Sequence, residues 1–314
     1  MSITVLSPGL MTTVQDLGRT GYQQYGVPVS GVMDPHSAAL ANILAGNPEG
    51  EAVLECTMLG PRLRFDRDNC FAVTGGDLGA ALDGQPVPNG QADRAKAGQV
   101  LSFSAPRSGC RAFIAFTGGL DVPPVMGSRS TYQKAGIGGY RGRRLEKGDV
   151  IGFRAPVSAL PGMDRRRLPP DFRPEAVYTL RVIPGPQDDC FTSEGIRTFY
   201  SGEYTVTQEF DRMGCRLDGP AVGHRESGDI ISDGISFGAV QIPSSGRPII
   251  MLADRQTTGG YTKIANVITA DFRIAAQLKA GDKVRFREVS VEFAQDLLLA
   301  RRAAIHSLAR INNG

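Results

Sequence analysis

The chain has 314 residues, enough for two compact domains that each bury a core without disulfides or metals. Its 35 basic and 32 acidic residues leave a formal charge of +3 spread along the chain, so neither nucleic acid nor an anionic membrane surface is implied as a partner. No run of about eighteen apolar residues occurs, and no transmembrane helix is expected.

With 39 glycines, 20 prolines and no tryptophan, the apolar stretches are short and bounded by Gly, Pro, Asp or Asn. That pattern predicts a mainly β protein of many strands joined by tight turns. The five cysteines, Cys56, Cys70, Cys110, Cys190 and Cys215, are widely spaced and never form a C-x-x-C pair, which reads as reduced thiols. The stretch Met1 to Val14 is strand-like and lacks the basic patch and long apolar core of a secretory signal. A cytoplasmic protein is the expectation.

Along the chain, the first polar segment is Thr13-Val14-Gln15-Asp16-Leu17-Gly18-Arg19, followed by Gly26-Val27-Pro28 and Gly31-Val32-Met33-Asp34. Asp16 and Arg19 suit the orientation of an amide and an anion, and equally a turn held by an ion pair. At Asp34-Pro35 a capping carboxylate precedes a proline suited to a first turn, predicting a helix to Ala45 that stops at Gly46. Two similar stretches, Phe71 to Asp77 and Phe113 to Gly119, each read as a buried strand entering a glycine turn. Their N–H groups fit an anion-binding nest, and hairpin geometry explains the glycines as well.

A short pattern occurs three times, at Gly98 to Phe103, Gly148 to Phe153 and Gly281 to Phe286. Each copy sets a turn glycine before a strand whose fourth and sixth positions face one side, and it reads as the closing strand of a β-unit. Between the first two copies, Gly127-Ser128-Arg129-Ser130-Thr131-Tyr132 is dense in donors, which suits a carboxylate or phosphate or simply a capped loop. After the second copy, residues 154–175 hold five prolines and Arg165-Arg166-Arg167 but no apolar periodicity. They are read as a linker between domains at 1–153 and 176–314, with the basic triplet a solvated charge run.

In the second half, Thr192 or Ser193 begins a short helix, and Asp211-Arg212-Met213-Gly214-Cys215-Arg216-Leu217 follows the strand-like Tyr204 to Phe210. A site and a buried ion pair explain that acid beside a cation equally well. The densest polar segment runs from Asp254 to Lys263, after the apolar Pro248 to Ala253. Gln256, Thr257, Thr258, Tyr261 and Lys263 supply more hydrogen-bonding groups than a turn needs, and convergent donors at a strand end are what oxyanion stabilisation requires. A final helix is expected from Ser290, packing on the barrel before it.

Several chemistries lack their signatures. No G-x-x-x-x-G-K-[ST] loop occurs, so ATP binding by this chain is unsupported, and Gly136 to Tyr140 does not complete a dinucleotide fingerprint. There is no H-E-x-x-H, no G-x-S-x-G, and His36, His224 and His306 lie far apart, so no metal site is expected. His224 reads as a hydrogen-bonded loop residue, with a role as base the alternative.

The segments T-V-Q-D-L-G-R at 13–19, G-V-M-D at 31–34, G-S-R-S-T-Y at 127–132, D-R-M-G-C-R-L at 211–217 and D-R-Q-T-T-G-G-Y at 254–261, taken in order, resemble one family across nearly the whole chain. It is the family of the 5-oxoprolinase C subunit, also called allophanate hydrolase subunit 2 or biotin-dependent carboxyltransferase. Val32 stands where that family commonly has alanine. The resemblance implies two cyclophilin-like β-barrel domains with a few helices, and partner subunits B and A that with ATP open 5-oxoproline (pyroglutamate) to L-glutamate. It also implies Asp16, Asp211, Arg212 and Lys263 as catalytic residues, with Arg19, Ser128, Arg129, Gln256, Thr257, Thr258 and Tyr261 binding a small amide or lactam.

Two other readings stand beside that one. One is a carboxyltransferase that moves a carboxyl group from carboxybiotin, carried on another chain, to urea or a related amide. The other is a non-enzymatic protein that antagonises a kinase inhibitor by binding it. No cofactor is assigned to this chain itself.

Overall fold

The computed structural model describes residues 2–168 and 173–313. The pattern that recurs in the sequence is one turn built three times. In Lys96–Gln99, Glu146–Asp149 and Lys279–Asp282, the last N–H donates to the first carbonyl at 3.1, 3.2 and 3.1 Å. The glycine in third place has φ 91°, 93° and 89°, a region that residues with a Cβ rarely enter. Each glycine N–H then donates to a neighbouring strand, at Phe65, Val5 and Val206, and those residues donate back to Gln99, Asp149 and Asp282. The strands that follow point Leu101, Ile151, Phe153, Val284 and Phe286 inward.

The chain forms two units, one of Met1–Arg19, Ser30–Pro174 and Arg302–Gly314, the other of Thr20–Val29 and Glu175–Arg301. The first contains β1 (Ser2–Ser7), β2 (Met11–Gln15), α1 (Pro35–Leu44), β3 (Val53–Thr57), β4 (Arg62–Phe65), β5 (Asn69–Asp77) and β6 (Ala81–Leu82). It continues with β7 (Gln85–Pro86), β8 (Gln91–Ala95), β9 (Val100–Ser102), β10 (Ser108–Phe116), β11 (Leu120–Asp121) and β12 (Val150–Phe153). One sheet runs β11-β12-β1-β4-β9-β6-β7 and the other β2-β3-β10-β5-β8. The two similar stretches of sequence are the paired strands β5 and β10, with Phe113 opposite Thr74 and Phe116 opposite Phe71.

Ile3, Leu63, Phe65 and Phe153 of the first sheet share a core with Val14, Leu54, Phe71 and Phe116 of the second. The outer face of the second sheet, with Val53, Ala72 and Phe113, packs on Ala38, Ala41 and Leu44 of α1. That helix starts where the sequence sets it, since the Asp34 side chain accepts the Ser37 N–H at 3.0 Å with Pro35 in the first turn.

The second unit contains β13 (Tyr178–Pro184), α2 (Ser193–Ser201), β14 (Tyr204–Phe210), β15 (Gly214–Asp218), β16 (Asp229–Gly234) and β17 (Ala239–Ile242). After these come β18 (Ile249–Met251), β19 (Thr258–Val267), α3 (Phe272–Ala275), β20 (Lys283–Glu288) and α4 (Val291–Asn313). The order β13-β20-β14-β15-β18-β17-β19 closes on itself through β19 and β13, with β16 added outside on β19. The closure pairs Val182 with Val267 and Pro184 with Ala265, so no strand edge is left at the seam. Thr192 caps α2 through the Gly195 N–H at 2.9 Å, and Phe199 of α2 stacks on Phe286 of β20 at 4.4 Å. The mainly β architecture with a few helices is thus the one the composition predicts.

Two expectations need correction. Residues 154–168 of the expected linker belong to the first unit, and residues 169–172 lie outside the described residues. Proline-rich composition suppresses periodicity without preventing packing. Arg166, read as part of a solvated run, is buried, and its guanidinium donates to the carbonyls of Ile43, Leu44 and Pro161 at 3.1, 3.2 and 2.9 Å. It satisfies the carbonyls at the end of α1 with a cation, as a helix C-terminus favours. The residues after it cover the edge of β8, with the Leu168 N–H on Gly90 and the Ala92 N–H on Arg166.

The last helix begins at Ser290 as expected, with the Phe293 N–H on its Oγ at 3.2 Å. Its later residues, from Arg302, belong to the first unit. Ile305, Leu308 and Ala309 join Ala39, Leu40 and Ile43 of α1, because that face of α1 is apolar and the sheet does not cover it.

The buried role of Arg166 sets a test. Arg166→Ala should lower unfolding stability by about 2–4 kcal/mol, the effect of losing several hydrogen bonds from a buried charged donor. The exposed Arg165→Ala should stay within about 0.5 kcal/mol of the unaltered protein. Urea unfolding checks both, and equal midpoints for the two variants would contradict the capping role.

Candidate functional site

In the first unit, Asp16 follows β2 and its carboxylate receives four donors. The Gly18 N–H and the Ser128 and Ser130 hydroxyls reach Oδ1 at 2.8, 2.6 and 2.6 Å, and the Arg129 N–H reaches Oδ2 at 2.5 Å. Ser130 Oγ in turn accepts the Asp16 N–H at 3.0 Å. Arg19, 1% exposed, donates to the Ser130 carbonyl, and Arg129 Nε donates to Val122 at 2.8 Å. Asp16, Arg19, Ser128 and Arg129 therefore come together as a knot that fixes the 127–132 loop to the end of β2. A carboxylate holding four donors has little capacity left for a substrate N–H.

The glycines read as a nest are committed as well. The Gly118 N–H donates to Asn47 Oδ1 at 2.9 Å and the Gly119 N–H to the Phe116 carbonyl at 3.0 Å. They form no hairpin turn either: Gly75 and Gly76 lie inside β5, and Gly118 and Gly119 turn the chain from β10 in one sheet to β11 in the other.

In the second unit, Asp211 and Arg212 occupy the turn between β14 and β15. Asp211 Oδ1 accepts the N–H groups of Met213 and Gly214 at 2.7 and 3.0 Å, which makes it a turn-forming carboxylate. Arg212 grips Asp254 with two bonds, Nε to Oδ2 at 3.0 Å and Nη2 to Oδ1 at 3.2 Å, with both side chains 11% exposed. This fork ties the turn to the segment after β18. The ion pair exists, but its acid is Asp254 and not the adjacent Asp211.

Within the polar segment Asp254 to Lys263, residues 258–263 form the start of β19. The outer part of that strand, Thr258 to Tyr261, pairs with β16, and the inner part, Thr262 to Asn266, pairs with β17 inside the barrel. Its side chains line two cavities. One, of about 570 Å³, is lined by Thr257, Thr258, Lys263, Ser236, Asn266 and neighbours. The other, of about 330 Å³, is lined by Asp211, Gln256, Tyr261, Gln241, Met251 and neighbours. Both volumes lie in the range of about 300–1,000 Å³ typical of small-molecule sites.

Lys263 is 3% exposed, and its ammonium donates to Asp233 Oδ2 at 2.8 Å. That bond, aided by the Gly234 N–H, holds the Asp233 carboxyl below the usual carboxylate range. An ammonium has three donors, so Lys263 keeps capacity for an oxygen atom in the larger cavity. A buried cation beside a cavity is an arrangement that stabilises negative charge developing on a carbonyl or carbamate oxygen.

Asp233, Gln241 and Gln187, whose Oε1 accepts the Lys263 backbone N–H at 3.2 Å, lie outside the motifs read from the sequence. Asp233 and Gln187 come from loops and an edge strand whose pairing no local pattern announces. Gln241 did leave a signal, since it is the one polar residue in the apolar run Ala239-Val240-Gln241-Ile242. His224 Nε2 lies 3.1 Å from both the Ile242 carbonyl and Thr262 Oγ1, with its ring 4.8 Å from Phe191, the arrangement of a structural histidine. Among the described residues no three His, Cys, Asp or Glu side chains gather in a metal-binding group, and no helix is long and apolar enough to cross a membrane. All five cysteines are free, and burial pushes the Cys56 thiol up to about 12.

The family described as carboxyltransferase domain, subdomain A and B, matches residues 25–288. The chain belongs to that family. Within the carboxyltransferase family, the chain is 37% identical over 298 residues to the C subunit of 5-oxoprolinase from Escherichia coli, covering 93% of each chain. It is 34% identical to urea amidolyase of Saccharomyces cerevisiae, covering 98% of this chain and 18% of that one. The crystal structure of K. lactis urea amidolyase superposes with a TM-score of 0.91 at 34% identity, over 98% of this chain and 20% of that chain. The carboxyltransferase fold is therefore shared with domains that make up a small part of larger enzymes and with a separate subunit.

The knot around Asp16 sets a second test. In this carboxyltransferase domain, Asp16→Ala should cost about 2–4 kcal/mol of stability and speed amide exchange at Arg129, because buried donors lose their acceptor. Asp211→Ala, at an exposed turn, should cost about 1 kcal/mol. Denaturant unfolding with hydrogen exchange measures both. An Asp16 variant of unchanged stability and exchange but no activity would return that residue to catalysis.

Proposed function

We propose that this chain is the C subunit of an ATP-dependent 5-oxoprolinase, acting with partner subunits B and A in the cytoplasm to open 5-oxoproline to L-glutamate. The observation that carries the reading is the buried Lys263 ammonium on the wall of the larger cavity, with donor capacity beyond Asp233. Support from similarity is the match to the E. coli protein along 93% of its length.

A lactam resists attack because its nitrogen lone pair is delocalised into the carbonyl. Lys263 donates to the ring oxygen and draws electron density from the ring carbon. Thr257, Thr258 and Asn266, on the same cavity wall, provide hydrogen-bond partners for the ring N–H and the substrate carboxylate. Water then adds at the ring carbon, the C–N bond breaks, and the nitrogen takes a proton to become the amine of glutamate. ATP is consumed by the assembled complex. Asp16 and Asp211 act in this scheme by fixing loops, and Arg212 by holding Asp254.

A second reading is favoured by the superposition on urea amidolyase at a TM-score of 0.91. Here the chain assists transfer of a carboxyl group to urea or a related amide, and carboxybiotin on another chain supplies that group. Lys263 serves this reaction too, since a carbamate oxygen carries the charge that a buried ammonium stabilises.

Reconstitution with the B and A partners distinguishes the two readings. ATP-dependent release of glutamate from 5-oxoproline is the expected result. No release, together with carboxyl transfer from carboxybiotin, would replace the first reading with the second. In the active complex, Lys263→Met should lower kcat by about 10²–10³-fold, the usual effect of removing one oxyanion donor, and full activity in that variant would remove Lys263 from the chemistry.

A further inference from the structure

Outside the barrel, β16 and the outer part of β19 form a two-stranded ribbon whose far edge has no strand partner among the described residues. Ile231, in the middle of β16, is 95% exposed, the most exposed large apolar side chain among the described residues. A bulge accounts for that exposure. Asp229 pairs with Tyr261 and Asp233 with Gly259, so Ile230, Ile231 and Ser232 stand opposite Gly260 alone, and a bulge re-aims the side chains it carries. The strand is also fastened at both ends. The Gly228 carbonyl before it accepts the Thr262 N–H at 3.0 Å, and the Ile235 N–H after it donates to the Thr257 carbonyl at 3.1 Å. Between them, Asp233 Oδ2 accepts the Lys263 ammonium at 2.8 Å and Gln187 Nε2 at 3.4 Å.

Ile231 is not the ribbon's only apolar group in water, since Tyr261 on the other strand is 40% exposed. The charges beside Ile231 decide what can cover it. Two residues to either side stand carboxylates, Asp229, exposed and without an ion-pair partner among the described residues, and Asp233, 54% exposed. They repel an anionic membrane surface. They also oppose a second copy paired antiparallel along the same edge about Ile231, because each Asp229 would face the other copy's Asp233. A protein surface with an apolar socket rimmed by Lys or Arg satisfies both the isoleucine and the acids. We propose that the ribbon is a docking arm for such a chain, with Ile231 entering the socket and Asp229 meeting its basic rim. Because the strand is held in place beforehand, little order is lost on docking. That the chain which docks is one of the B and A partners rests on the reading of the function given above.

Binding of the full chain to the B and A partners, measured by surface plasmon resonance without substrate or ATP, tests the arm. Ile231→Lys should weaken the complex about 10–100-fold, the range that follows from leaving one large apolar side chain unburied. Its melting temperature should equal that of the unaltered chain, because so exposed a side chain contributes little to the fold. Ile231→Leu should keep most of the affinity. Leu299→Lys, which places the same charge at a 62% exposed position of α4, should bind as the unaltered chain does. Asp229→Lys should slow association and flatten its dependence on salt. Equal affinity for Ile231→Lys, an equal loss with Leu299→Lys, or no complex at all would overturn the proposal. Self-association, or binding to phosphatidylglycerol vesicles, that Ile231→Lys abolishes would overturn it too. Glutamate release is scored separately. A complex that depends on Ile231 and releases no glutamate removes the proposed reaction and leaves the arm in place.

Discussion

Strand β19 belongs to two ladders at once, and the second unit is arranged around that fact. Its inner residues, Thr262 to Val267, pair with β17 and β13 and so close the barrel. Its outer residues, Thr258 to Tyr261, leave the barrel and pair with the bulged edge strand β16. The burial changes sides at the same point, from the exposed Tyr261 to the buried Thr262 and Lys263. A strand that must close a barrel cannot slip by one residue without turning its buried side chains outward. Register therefore fixes Lys263 at the larger cavity and Tyr261 at the smaller one, and Gly259 is the position where Ile235 leaves no room for a Cβ.

Charge is distributed in keeping with that scaffold. Arg212 and Asp254 are both nearly buried and satisfy each other with two bonds, which makes them a fastening between β14–β15 and the segment that leads into β19. Lys263 is buried, but its acid, Asp233, is 54% exposed. The pair is thus anchored on one side and open to solvent on the other. Fully neutralised pairs hold a fold together, whereas a buried cation with spare donors is available to a ligand. The same contrast holds in the first unit, where Asp16 is consumed by its four donors.

Local rules made part of this legible from the sequence. The cap at Asp34 and the proline after it set α1, and the repeated glycine turn announced three equivalent strands, since both depend on a few adjacent residues. Arg166 was not legible, because a run of three arginines among prolines carries no sign of which one meets the end of a helix over 120 residues earlier. Of the polar segment at 254–263, the part from Thr258 on is strand β19, which the sequence hides because two glycines inside a strand look the same as a turn until the partner strand is known. Candidate residues were gathered by type, and only pairing in space separated those that hold the fold, such as Asp16 and Arg212, from those on cavity walls.

In the proposed reaction a small amide binds in the second unit with its carbonyl oxygen on Lys263. A crystal structure of the assembled complex with 5-oxoproline and without ATP tests it most directly. The expected result is the lactam in the cavity lined by Thr257, Thr258 and Lys263, with the ring oxygen within hydrogen-bonding distance of Nζ. A lactam bound elsewhere in the complex, with Lys263 contacting only Asp233, would contradict it.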